Sequence, residues 1–276
     1  MSITVGNIPH ETRIGQIVVP DKLRLRFPFH NDRFERLMFV TSLYGGLGLT
    51  PSTVTLFTGT PSAGKSTLAL QMADALHRIS DCVVLFNGIE ESLYQTKTVC
   101  ERLFKHQPDF YVGEDSLVDE TARDLHYKYY ADKQKGKLKT IIGHARKLQA
   151  KHPDKHFVLF IDSLQMCDDG KYPDGHINNQ TPVRALDLIN TFCKQTMASA
   201  IIIGQVNKDG DAAGSQKLIH KVDTHLHMYI DKKEKSETQG MRIITAVKHR
   251  YGSSGATHIL NMRESGLEEV GSLSPY

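Results

Sequence analysis

Eight consecutive residues, Gly59-Thr60-Pro61-Ser62-Ala63-Gly64-Lys65-Ser66, match Gly-x-x-x-x-Gly-Lys-Ser without a mismatch. Glycines permit a tight turn in which successive backbone amides point inward and cradle phosphate oxygens. A helix starting near Lys65 adds the positive end of its dipole. In such a loop Lys65 reaches the β- and γ-phosphates and the Ser66 hydroxyl ligates Mg²⁺, so residues 59–67, through Thr67, form the predicted ATP-binding segment. A second acidic site is needed beside it. Asp162 ends the apolar run Val158-Leu159-Phe160-Ile161, at the carboxyl edge of a buried strand, where open α/β sheets bind ligands. Its expected role is support of Mg²⁺. Glu90 and Glu91 follow another apolar run at the same edge, and one of them could orient or deprotonate an attacking water. Acidic residues also favour the first turn of a helix, so the residues alone leave these glutamates undecided.

The elements that must position these groups alternate along the chain. Strand character is expected at 52–58, 82–86, 157–161 and 200–204, and helical spacing at 65–79, 93–104, 139–151 and 183–197. That alternation predicts an α/β fold, a mostly parallel sheet flanked by helices on both faces. Beyond Lys221, the runs 224–230, 242–248 and 257–262 predict an antiparallel C-terminal extension. Residues 108–136 are polar and read as irregular. Residues 1–50 read as a basic, aromatic lead-in, a linker or oligomerisation segment ahead of one ATPase domain at 51–276.

Composition excludes several classes. At 276 residues, 24% charged and 39% hydrophobic, the chain can bury a core and is not disordered throughout. Its four cysteines include no Cys-x-x-Cys pair, which argues against a disulfide scaffold or a zinc module. No apolar run approaches the length of a membrane span, and the polar N-terminus lacks a signal core. The expectation is a reduced, cytoplasmic protein without membrane partners, nucleoid-associated, or in the host cytoplasm if virus-encoded. The net charge of +3 permits nucleic-acid binding without predicting it.

Five motifs in order resemble the RecA-type ATPases, and within them the RadA/Sms branch. They are the phosphate loop, Asn87-Gly88-Ile89-Glu90-Glu91-Ser92, Ile161-Asp162-Ser163-Leu164-Gln165, Gly204-Gln205-Val206-Asn207-Lys208-Asp209-Gly210, and Val247-Lys248-His249-Arg250-Tyr251-Gly252. The segment 218–224 is similar to that branch's Leu-x-His-x-Val-Asp-Thr. The resemblance implies a RecA-like fold and favours Glu90 as the catalytic glutamate, with a one-residue offset that leaves Glu91 open. It implies that Gln205, present where RadA has His, senses the γ-phosphate. It also implies that Lys248 and Arg250 reach into a neighbouring subunit's site, hence a head-to-tail ring or filament, a hexamer being expected. RadA proteins carry an N-terminal four-cysteine zinc finger and a C-terminal Lon-like domain. No cysteine precedes Cys82 here and the sequence stops soon after Val270, so a stand-alone motor core is expected.

By the same resemblance two loops, 168–182 and 207–217, face single-stranded DNA, with Lys171, Tyr172, Arg184, Lys208 and Lys217 as contacts. Their own chemistry supports DNA only weakly, because acids are interspersed and Tyr172 is the one aromatic. The basic stretch 128–155 reads as a solvated helix face. His225 and His227 have the same-face spacing of a metal pair on a strand but lack companions, so an ordinary half-buried pair is expected. The reading is an ATP- and Mg²⁺-dependent motor acting in recombination or repair, with DNA-stimulated hydrolysis. A DnaB-like helicase motor and a KaiC-like signalling or scaffold ATPase are the alternatives.

Overall fold

The computed structural model describes residues 12–114, 137–172, 176–205 and 215–273. Lys208, with the rest of 206–214, lies outside them, as do Lys128, Lys133 and Lys135 of the basic stretch.

Among the described residues one nine-stranded sheet runs in the order β3-β2-β4-β5-β1-β6-β7-β8-β9. β1 (Val54–Gly59), β2 (Val83–Gly88), β3 (Tyr111–Glu114), β4 (Phe157–Asp162), β5 (Ser199–Ile203) and β6 (Thr224–Ile230) pair in parallel. β7 (Arg242–His249), β8 (Thr257–Arg263) and β9 (Gly266–Leu273) continue the sheet antiparallel. The expected α/β core and antiparallel extension are both present.

Side-chain alternation along the strands fills two cores. Phe57, Val84, Phe86, Val158, Phe160, Ile201 and Ile203 pack on one face with α1 (Met38–Leu43), α2 (Lys65–Arg78) and α3 (Leu93–Leu103). Leu56, Val83, Leu85, Phe157, Leu159, Ile161 and Ile202 pack on the other with α4 (Lys137–Lys151), α5 (Thr181–Thr196) and α6 (Ser215–Lys221). Burial on both faces is why these strands read as continuous apolar runs rather than alternating ones.

Packing runs without a break across residue 50. Phe29, Phe39, Val40, Leu43 and Leu49 are fully buried in the same core as α2. Phe27 stacks on His156 with ring centroids 4.2 Å apart, and Lys22 Nζ donates to the Pro153 carbonyl at 2.7 Å. Phe27 also pairs with Leu49 as an isolated antiparallel bridge. Gly48, at φ +92°, makes that approach possible, since a Cβ there would lie 2.3 Å from the Phe27 carbonyl oxygen. The second half of the basic, aromatic segment therefore belongs to the ATPase core's packing. β3 lies inside the stretch expected to be irregular. It is a four-residue edge strand with Tyr111 and Val112 both exposed, so it carries no burial pattern for a sequence to display.

Candidate nucleotide site

The strand β1, a tight loop and the helix α2 place the phosphate-loop motif at the carboxyl edge of the parallel strands. Ser62 and Gly64 take positive φ values of 61° and 102° to close the turn. Lys65 Nζ donates to the carbonyls of Gly59 and Thr60, both at 3.0 Å. Burial holds its amine below the ordinary lysine value, while the carboxylates of Asp162 and Glu90 act in the opposite sense. The loop opens onto a cleft of about 470 Å³.

Three neighbouring strand ends supply the other walls. Asp162, the last residue of β4, lines the cleft beside Ser66. Its carboxyl is pushed up to about 6, chiefly by burial and further by Glu90 and Glu91, against the lowering effects of Ser66 and Lys65. Glu90 follows β2 and accepts from the Ser163 hydroxyl and from Gln205 Nε2, the latter at 3.1 Å. Gln205 follows β5 and is held by Gln165, whose Oε1 accepts from the Gln205 amide at 3.0 Å. A carboxylate oriented by two donors at the mouth of a phosphate loop has the geometry needed to direct a water.

Most of the predicted site residues meet here. Gly59, Pro61, Ser62, Gly64, Lys65, Ser66 and Thr67 line the cleft together with Glu90, Asp162 and Gln205. Thr60 and Ala63 do not: the Thr60 amide donates to the Met228 carbonyl, and Ala63 is buried in the core. Glu91 is outside the main cleft, in contrast to Glu90. Ser163, Ile203 and Met262 also line it. Ser163 belongs to one of the five motifs, whereas Met262 comes from β8 and has no local sequence signal marking it.

Lys248 and Arg250 are elsewhere. Thr55 pairs with Thr224 and Thr224 with His249, while Gly59 pairs with Met228, so the basic pair sits four residues down the sheet from the phosphate loop. At strand rise that is roughly 13 Å. Lys248 Nζ donates to the carbonyls of Ile219 and Val222, both at 2.8 Å, at the end of α6. Arg250 Nη1 pairs with Asp223 at 2.8 Å. Neither side chain faces this subunit's own phosphate loop.

The residues expected at DNA are dispersed in role. Arg184 pairs with the buried carboxylate of Asp169 and lies 5.9 Å from the centre of the Tyr172 ring. Lys171 Nζ is 5.5 Å from the same ring, and the Tyr172 hydroxyl accepts from Asn178 at 3.2 Å. Lys217 is exposed on α6. Arg146, from the basic stretch, donates to Gln195 at 2.7 Å and so serves α4–α5 packing. His225 is buried and His227 half-buried; among the described residues no cluster of three or more His, Cys, Asp or Glu could hold a metal ion.

The family model that matches this chain is described as "ATPase: KaiC" and covers residues 38–268. The chain is a RecA/RadA-type P-loop ATPase of that family. It is 31% identical over 227 residues to the DNA repair protein RadA of Streptococcus pneumoniae, covering 82% of this chain and 46% of the relative. RadA of Aquifex aeolicus is 30% identical over 226 residues, covering 82% of this chain and 43% of the relative. RadA of Halalkalibacterium halodurans is 32% identical over 227 residues, with 82% and 42% covered. The ATPase thus spans less than half the length of these curated relatives. In fold it is similar to a solved structure described as an ATPase domain, with a TM-score of 0.64 at 16% identity, covering 85% of this chain and 90% of that one. Among the described residues no helix is long and apolar enough to cross a membrane.

Proposed function

We propose that this ATPase core hydrolyses ATP with Mg²⁺, assembles head to tail on single-stranded DNA and acts in recombination or repair. The observation that carries the proposal is the separation of two halves of one catalytic set. Lys65, Ser66, Asp162, Glu90 and Gln205 line a cleft, while Lys248 and Arg250 stand toward the opposite end of the strands, the placement expected of a pair lent to another subunit's cleft.

The donor set fits Mg²⁺. Ser66 and Asp162 present hard oxygen ligands on the wall of one cleft. Asp162 is raised by burial and by neighbouring carboxylates, and a cation would relieve both effects. Mg²⁺ is commonly held by one or two protein oxygens plus substrate phosphates, so no larger cluster of ligands is required. When bound there it supplies charge neutralisation across the β- and γ-phosphates. Lys65 exchanges its carbonyl partners for phosphate oxygens. Glu90, steadied by Ser163 and Gln205, orients the water for in-line attack and accepts its proton. Lys248 and Arg250 of a neighbour stabilise charge developing on the transferred phosphoryl group.

The DNA-repair assignment is supported by the names and identity of the RadA relatives. The test is the rate of phosphate release with and without single-stranded DNA. A severalfold stimulation supports the motor reading, and a rate unchanged across DNA concentrations overturns it in favour of a nucleotide-driven scaffold, the reading that the description of the matching family model favours.

A further inference from the structure

Two imidazoles behind the phosphate loop have no role in the chemistry above. His225 and His227 stand on one face of β6, and both close on a single atom of β1, the Thr58 hydroxyl. His225 Nε2 is 2.8 Å from it and His227 Nδ1 is 3.0 Å from it. Thr58 is 1% exposed and immediately precedes Gly59, whose carbonyl holds Lys65. The other end of the row approaches the basic pair, because His225 is the cross-strand partner of Lys248.

A hydroxyl carries one proton and two lone pairs. Thr58 can donate to one imidazole and accept from the other, or accept from both and turn to the Leu226 carbonyl, 3.4 Å away. The choice is set largely by His225. Its Nδ1 is buried without a partner, so a proton placed there would be an unsatisfied donor. The proton therefore resides on Nε2 and His225 donates to Thr58. Thr58 is then free to donate to Nδ1 of a neutral His227. A protonated His227 would reverse that bond, donating from Nδ1 and forcing the hydroxyl away.

The surroundings keep both rings neutral. Burial pushes His225 down to about 4, helped by His227 and Lys248, and burial and then Lys65 lower His227. Around His227 stand Thr58 on β1, Lys65 from the phosphate loop, His225 and Tyr229 on its own strand, and Thr245 opposite on β7. The field from Lys65 is the part of this that a bound polyphosphate would change.

We propose that His227 is a positioning residue that reads the charge at the phosphate site and passes it through Thr58 to His225 and Lys248. Polyphosphate beside Lys65 offsets the ammonium charge. His227 then takes one proton from hydronium or a buffer acid: the N–H bond forms at Nδ1 as the donor's bond to that proton breaks, and the Thr58 hydroxyl turns. The row links the nucleotide site of one subunit to the basic pair it lends to the next. This rests on the nucleotide reading above and adds to it a proton-linked element.

The test is titration calorimetry of the full chain with a non-hydrolysable ATP analogue and Mg²⁺, at pH 6.5 in two buffers of different ionisation heat. The wild type takes up more protons per nucleotide than His227→Gln. Its affinity advantage over that variant grows severalfold as pH falls from 7.5 to 6. Asp162 titrates in both proteins and cancels in the difference. Equal proton uptake in the two proteins overturns the inference and leaves nucleotide binding intact, whereas no binding by the wild type overturns both. A second measurement needs no variant: the His227 ring, followed by NMR in the wild type, titrates at higher pH with the analogue than without it, and an unmoved titration also overturns the inference.

Discussion

Gln205 Nε2 donates to Glu90 Oε1 at 3.1 Å, tying the residue after β5 to the residues after β2 across the mouth of the nucleotide cleft. The two are 115 positions apart in sequence and share one hydrogen bond. Through the reciprocal pair between Gln205 and Gln165, the same bond reaches the segment leading out of β4. A single side chain thus joins the Glu90 carboxylate to the end of β5.

Glu90→Gln keeps nucleotide affinity and lowers turnover by about 10²–10⁴-fold, the range for loss of a positioned base. Glu91→Gln lowers it by less than about 3-fold, since Glu91 lies outside the main cleft and the donors Ser163 and Gln205 hold Glu90 instead. Gln205→Ala falls between them and loses stimulation by DNA. Steady-state kinetics with separate binding measurements discriminates all three, and equal effects of Glu90→Gln and Glu91→Gln would reassign the base.

Arg250→Ala retains nucleotide binding and abolishes turnover. Its side chain is 52% exposed, and its partner Asp223 keeps a hydrogen bond from the Val54 amide when the arginine is removed. Mixing Arg250→Ala with Glu90→Ala restores part of the activity, because a mixed assembly contains clefts with an intact Glu90 facing an intact Arg250. Phosphate release from the mixture, against each variant alone, is the measurement. A mixture as inactive as its parents contradicts shared sites.

Asp162 is a group whose folded value, about 6, lies above its unfolded one. Its favourable contribution is complete below the unfolded value and is lost as pH rises through about 6. At neutral pH the buried carboxylate therefore opposes folding, by about 3 kcal/mol as an order of magnitude. Asp162→Asn raises the melting temperature at pH 7.5 by several degrees while eliminating Mg²⁺-dependent turnover. Calorimetry at pH 4.5 and 7.5 checks the sign: the gain shrinks at the lower pH.

His156 works in the opposite sense. Burial, then Lys22, pushes it down to about 3, below the ordinary histidine value, so its contribution is present above about pH 6.5 and is lost as pH falls. By pH 4.5 the loss reaches about 2–3 kcal/mol. Because His156 stacks on Phe27, acid loosens the attachment of the 22–29 segment to β4. Denaturant melts between pH 4.5 and 7.5 show a shallower pH slope for His156→Gln than for the wild type.

The phosphate loop, the strand and helix around it, Asp162 and the parallel core were all legible in the sequence. Each depends on short-range pattern: a glycine spacing, a run of apolar residues buried on both faces, a helical period. β3 and α6 were not, because a four-residue edge strand with Tyr111 and Val112 exposed and a seven-residue helix hold too little burial to leave a pattern. The tertiary structure alone decided what lies far apart in the chain. It placed Glu90 rather than Glu91 on the cleft, added Met262 from β8, merged residues 27–49 with the core and turned Lys248 and Arg250 toward α6. It also drew two unassigned histidines onto Thr58. Local periodicity fixes which element a residue belongs to; only the pairing of strands distant in sequence fixes which side chains share a hydrogen bond.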